Sequence, residues 1–183
     1  MRWNPSKGHV PRGYLGGEGH IEEIELVLII AEPGDPLPGE QFHFDQSVQE
    51  LFREVYQFVR CRYSEKATSF HTKARSIINL CWPDLSFDEQ LKKVWITESV
   101  LCSAKVESGP VAAKIGRACI RLLPNATFAA FGRKAQKRTA HLNVEIQPAY
   151  AIAPPGCNFN GAQESYQKIA EIVRSKSQDS KHS

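Results

Sequence analysis

The sequence predicts an α/β fold: a three-layer α/β/α sandwich around a central, mostly parallel, four-stranded sheet. Three observations predict it. Apolar runs alternate with segments of helical periodicity along most of the chain. The first run, Ile24 to Ala31, is almost continuously apolar where an exposed strand would alternate, as in strands buried on both faces. The chain has 183 residues and 42% hydrophobic content, enough for one sizeable core. Neither repeats nor a composition break divides it, so residues 1–183 read as a single domain.

The elements follow in order. Residues 1–20 are rich in Gly and Pro and carry Lys7, His9 and Arg12; they read as an extended basic arm on the surface. Ile24 to Ala31 is the first strand. Asp45 or Ser47 caps a helix running to about Cys61, with Val48, Leu51, Phe52, Val55, Tyr56 and Val59 on one face. A second helix covers roughly Lys66 to Leu80. Pro83 breaks the chain, and Ser86 caps a short helix. "VWITESVLC" is the second strand. Pro110 opens a helix to about Leu123. "NATFAAFG" is the third strand, and "RKAQKR" starts another helix. "IQPAYAIA" is the fourth strand, ending at "PPG". Gly161 to Ser175 closes the fold as an amphipathic helix, and residues 176–183 read as a frayed tail.

Composition bounds the function. The 23 basic and 20 acidic side chains give a formal charge of +3, which permits a polyanionic partner without requiring one. The five cysteines are odd in number and never form C-x-x-C, the pattern of reduced thiols in a cytoplasmic protein. The first residues lack the apolar core of a signal peptide, and no run is long enough to cross a bilayer. A monomer without a membrane partner is expected.

In parallel sheets, ligands bind beyond the carboxyl ends of the strands. Glu32 follows strand one directly, Glu98 lies in the far half of strand two, Gly132-Arg133 follows strand three, and Ala153-Pro154-Pro155-Gly156 follows strand four. All four point toward one rim. The segment "FHFD" places Phe42 and Phe44 just beyond Glu32; if extended, both rings face one way and His43 the other. These rings either stack on a ligand or anchor the following helix. An acid beside an aromatic ring suits cleavage of a base from its sugar. The carboxylate orients the attacking water and stabilises an oxocarbenium-like state. A base in duplex DNA must first be flipped into such a pocket.

"AEPG" after the first strand, "WITESVLC", "LPNATFAAFGRKA" and "APPG" resemble, in order and spacing, the motifs of the uracil-DNA glycosylase superfamily. Most similar is its thermostable iron-sulfur branch, whose motifs read G-E-A-P-G, Y-I-T-N-x-V-x-C and a third ending in L-G-x-x-A. The resemblance covers Ile24 to about Val173. It implies a uracil-DNA glycosylase-like fold and a monofunctional hydrolase of base excision repair, acting on the N-glycosidic bond of a flipped uracil or other deaminated base. By that resemblance Glu32 is the catalytic acid that orients water, Phe42 or Phe44 stacks on the base, and Ala31, Glu98 and Asn158 contact it. Lys7, Arg12, Arg133, Lys134, Pro154, Pro155 and Gly156 lie along the DNA strand.

The chain also departs from the family. Ala31 fills the place of the branch's acid, and Glu32 stands where classical uracil glycosylases carry aspartate. Glu98 replaces an asparagine whose amide both donates and accepts; ionised glutamate only accepts. It suits a base with an exocyclic amine, or uracil if the acid is held protonated; alternatively it points away, leaving Thr97 or Ser99 to line the pocket. Ala153 stands where many members have the histidine that stabilises the leaving base. Cys102 and Cys119 match two cluster ligands, but the branch's first cysteine pair has no counterpart, so no cluster, metal or other cofactor is expected. These departures leave a second reading open: a catalytically impaired glycosylase-fold protein that binds nucleic acid or a nucleotide.

Overall fold

The computed structural model describes residues 12–31, 42, 45–99, 122–123 and 125–179. Its sheet has five strands: β1 (Tyr14–Gly16), β2 (Leu26–Ile30), β3 (Val94–Glu98), β4 (Thr127–Phe131) and β5 (Ile146–Ala149), in the order β1-β3-β2-β4-β5. The four strands β3-β2-β4-β5 are mutually parallel, as the sequence implies. The fifth corrects the expected count. β1 pairs antiparallel with β3, Leu15 opposite Ile96, inside the stretch read as a surface arm. A three-residue strand bounded by glycines carries too little alternation to be seen in sequence. Its packing is nevertheless core-like. Leu15 is fully buried, and the Tyr14 ring lies against Phe52 and Tyr56.

Strand β2 is central because every residue in it is buried. Its side chains alternate between two clusters. Leu26, Leu28 and Ile30 join the larger core; Val27 and Ile29 join a second one with Phe128, Leu123 and Ala126. Registration with β3 sets Ile30 opposite Glu98, which brings the ends of both strands to one edge.

Among the described residues there are five helices: α1 (Val48–Ser64), α2 (Ser69–Cys81), α3 (Phe87–Lys93), α4 (Arg133–Thr139) and α5 (Ala162–Asp179). Of the two candidate caps, Ser47 starts α1. Its hydroxyl accepts from the Glu50 amide at 3.3 Å and Glu50 returns a bond to the Ser47 amide at 3.0 Å. Ser86 and Glu89 repeat this box at α3. Helix α1 buries Leu51, Val55, Val59 and Tyr63, one residue per turn, and α2 buries Ala74, Ile77, Ile78 and Cys81. Together with Tyr166, Ile169, Ala170 and Val173 of α5 they cover the larger-core face of the sheet. The helix expected from Pro110 lies outside the described residues.

Several boundaries shift from the expected ones; α1 runs on to Ser64, and α2 begins at Ser69 behind its Thr68 cap. β5 ends at Ala149, before the "YAIA" expected to continue it. Helix α5 runs through residues expected to fray, because Ser177 is tied down: its hydroxyl donates to the Glu25 carboxylate. Glu25 also accepts from Trp82 Nε1 at 3.0 Å and pairs with Lys93, joining the start of β2 to α3 and α5.

Candidate functional site

At the carboxyl edge of the parallel strands the chain leaves a cavity of about 690 Å³, within the range of small-molecule sites. Ile30, Ala31, Glu98 and Phe131 form its floor, as the ends of β2, β3 and β4. Gly132, Arg133 and Lys134 form one rim and Ala151 to Gly156 the next. Phe58, Arg62 and Tyr63 of α1, with Phe70 and His71 of α2 and Arg12, form the far wall. The rim predicted from strand order is therefore a concavity, and it holds Ala31, Glu98, Arg12, Arg133, Lys134, Pro154, Pro155 and Gly156 together. Glu32, Phe44 and Lys7 lie outside the described residues, as do His43, Cys102 and Cys119.

The floor is anchored where Glu32 begins. The carbonyl of Ala31 accepts from Arg138 Nη1 at 2.7 Å and from the Ser99 hydroxyl, and Arg138 Nη1 also reaches Ser99 Oγ at 3.2 Å. Arg138 closes the "RKAQKR" segment that opens with Arg133 and Lys134. It turns back onto the strand ends, which a run of cations does not reveal. Gln136 bridges the same edge, its amide donating to Ala149 O at 2.8 Å and Ala130 O at 3.3 Å.

The two rim loops meet on Ala151. A Cβ on Gly132 would lie 2.8 Å from the Ala151 Cβ, and one on Gly156 would lie 2.7 Å from it. Gly132 also has φ +88, which side-chain-bearing residues avoid. From below, the Tyr166 hydroxyl donates to Ala151 O at 2.8 Å while its ring packs against Phe131. Desolvation, helped by Cys157, pushes that phenol up to about 12, so it remains a donor.

Several expected contacts are placed differently. Phe42 is not among the lining residues. Its ring stands edge-on to Phe58 at 5.4 Å, and Phe58 is the one that faces the cavity, with the Arg12 guanidinium 5.9 Å over its ring. Sequence reading missed Phe58 and Arg62 because they flank the buried stripe of α1 without belonging to it; their one-turn spacing was the available signal. Asn158 is exposed in a 3-10 turn, Gly156–Asn158, and its side-chain oxygen accepts from the Cys157 thiol at 3.4 Å outside the cavity lining. Beside that turn, Tyr150 and Phe159 are 42% and 56% exposed with ring centroids 6.3 Å apart, a surface aromatic pair absent from the sequence expectation.

Charge is distributed unevenly. Arg12, Arg62, Arg133 and Lys134 face the cavity, against Glu98 as the one carboxylate among its described lining residues. Burial pushes the Tyr63 hydroxyl upward, with the Glu98 charge adding to it. Burial and then the charges of Arg62 and Arg12 push His71 down to about 4, so its ring is neutral at pH 7. Of the described cysteines, Cys81 is a buried small hydrophobe, pushed up to about 12 by desolvation. Cys61 is exposed, and its thiol donates to Glu65 at 3.3 Å. No three His, Cys, Asp or Glu residues among those described are grouped to hold a metal ion. No described helix is long and apolar enough to cross a membrane. No protein-family model, curated protein or solved structure matches the chain.

Proposed function

We propose that the protein is a DNA base-excision glycosylase that hydrolyses the N-glycosidic bond of a flipped uracil or other deaminated base. The observation that carries this reading is convergence. Ala31, Glu98, Gly132 and the Pro154–Gly156 loop come from four separate motif positions, and all of them line one cavity. In this reading a finer fold follows, a three-layer sandwich of the uracil-DNA glycosylase type. The enzyme works in the cytoplasm as a monomer.

The chemistry divides among the walls. The flipped base enters between the aromatic rings and the floor, where Glu98 accepts a hydrogen bond from a ring N–H or exocyclic amine. Glu32, next to the anchored Ala31 carbonyl, takes the role implied by its motif and orients water toward the sugar carbon. Arg133 and Lys134 face the phosphate backbone. Phe159 and Tyr150, exposed beside the Pro154–Gly156 loop, are placed to stack on bases neighbouring the gap. The runner-up reading, a binding protein without excision activity, is favoured by one observation: Ala153 lines the cavity where the family's leaving-base histidine would stand.

Oligonucleotides carrying uracil, hypoxanthine, xanthine or a mismatch, treated with protein and then alkali, separate the two. Strand scission at one of these lesions, lost in Glu32→Gln, supports the enzyme. Tight binding with no scission at any lesion supports the binding protein.

A further inference from the structure

The far wall of the cavity is cationic, and Glu32, Glu98 and the rim loops perform the proposed excision without it. Arg62 Nε is occluded from solvent and makes no hydrogen bond among the described residues, although buried donors are ordinarily satisfied. A guanidinium cannot shed its charge to escape that cost. The His71 ring is held edge-on between Tyr63, at 4.8 Å, and Phe70, at 5.4 Å. Thr68 Oγ1 caps α2 by accepting from the His71 amide and lies 2.7 Å from His71 Nδ1. The tautomer in which the Thr68 hydroxyl donates to Nδ1 carries its ring proton on Nε2 and makes the neutral ring a donor there. Arg12 completes the wall over Phe58.

Two guanidinium groups and an imidazole donor, facing a cavity with one described carboxylate, make a receptor for an anion. The rings of Phe58, Tyr63 and Phe70 line the same wall. They suit a flat, delocalised anion and offer nothing to a tetrahedral phosphate. We propose that Arg62 and His71 receive the negative charge of the departing base, the role left open by Ala153. This rests on the glycosylase reading. In the step, the C1′–N bond breaks and its electron pair stays on the base. Water oxygen forms the new bond to C1′, its proton passes to the carboxylate that the glycosylase reading assigns to Glu32, and the base leaves as an anion that solvent later protonates.

Two measurements on the full-length chain test it. The first is excision of uracil and of 5-fluorouracil, the more acidic and hence better leaving group, from matched oligonucleotides. Arg62→Gln is expected to slow uracil release about 100-fold, the usual scale for one lost charge-stabilising donor, and to slow 5-fluorouracil release by a clearly smaller factor. Arg62→Lys, which retains the charge, restores much of the loss, and unchanged melting temperatures show that the variants fold. Equal slowing of both bases, or none, overturns the assignment while leaving the glycosylase reading intact. The second measurement is binding of free barbiturate, a planar ring anion at neutral pH, against neutral uracil and inorganic phosphate. Preference for barbiturate that Arg62→Gln abolishes supports the anion wall even in a protein that excises nothing. Preference for phosphate, or for neither anion, overturns it.

Discussion

At the residue scale the site is defined by a few side chains whose neighbours set their charge. His71 is the clearest case. Burial, then Arg62 and Arg12, hold it at about 4 when folded, against 6.5 for the free side chain. The groups that face it are those two arginines, the Thr68 hydroxyl and the Tyr63 and Phe70 rings. The unfolded chain therefore takes up this proton near pH 6.5 while the folded chain resists it until about 4. Stability from this group is complete above 6.5 and is lost as pH falls across that window. Urea unfolding of wild type and His71→Gln at pH 7.5 and 4.5 should show the wild type losing more stability on acidification. Equal losses would mean that the ring is solvated. Glu25 has a related signature. Burial alone would raise its carboxyl, but hydrogen bonds from Lys93, Ser177 and Trp82 outweigh that and hold it below the ordinary value. Its contribution is present above the unfolded carboxyl range and is lost as pH falls through the lower, folded pKa.

At the scale of elements, the site depends on how closely the loops after β4 and β5 approach each other. Gly132 has φ 88 and ψ 157, a region nearly restricted to glycine, and Ala151 leaves no room for a Cβ. Gly132→Ala should cost roughly 1–3 kcal/mol in chemical unfolding and should displace Arg133 and Lys134 from the rim. A neutral result would show that the two loops are not packed as described. This scale also shows what can be read from sequence. Helices α1 and α3 announce themselves through Ser-x-x-Glu boxes, and β2 through its continuous apolar run, because those signals are local. β1 and the fold of Ser177 onto Glu25 are not legible, since each is made by partners more than 75 residues away in the chain. Likewise the four rim segments are legible as strand ends, whereas Phe58, Arg62 and His71 enter the cavity only through the tertiary packing of α1 and α2.

At the scale of the whole molecule, the charge is modest, +3, and Arg12, Arg62, Arg133 and Lys134 line the cavity among the described residues. Affinity for DNA should fall steeply with salt, because released counterions dominate such binding. Lys134→Ala should reduce the slope of log affinity against log salt by about one. A flat wild-type response would remove the basic rim from the DNA surface. On the proposed function, a single cavity at the strand ends receives a base taken out of the duplex. Its most direct test is a crystal structure of the full chain with an oligonucleotide carrying a non-cleavable 2′-fluoro deoxyuridine. The uracil should be seated beside Ala31 and Glu98, walled by Phe58 and Tyr63, with the Pro154–Gly156 loop against the strand. A base that remains stacked in the duplex, or DNA lying on a face remote from Glu98, would contradict it.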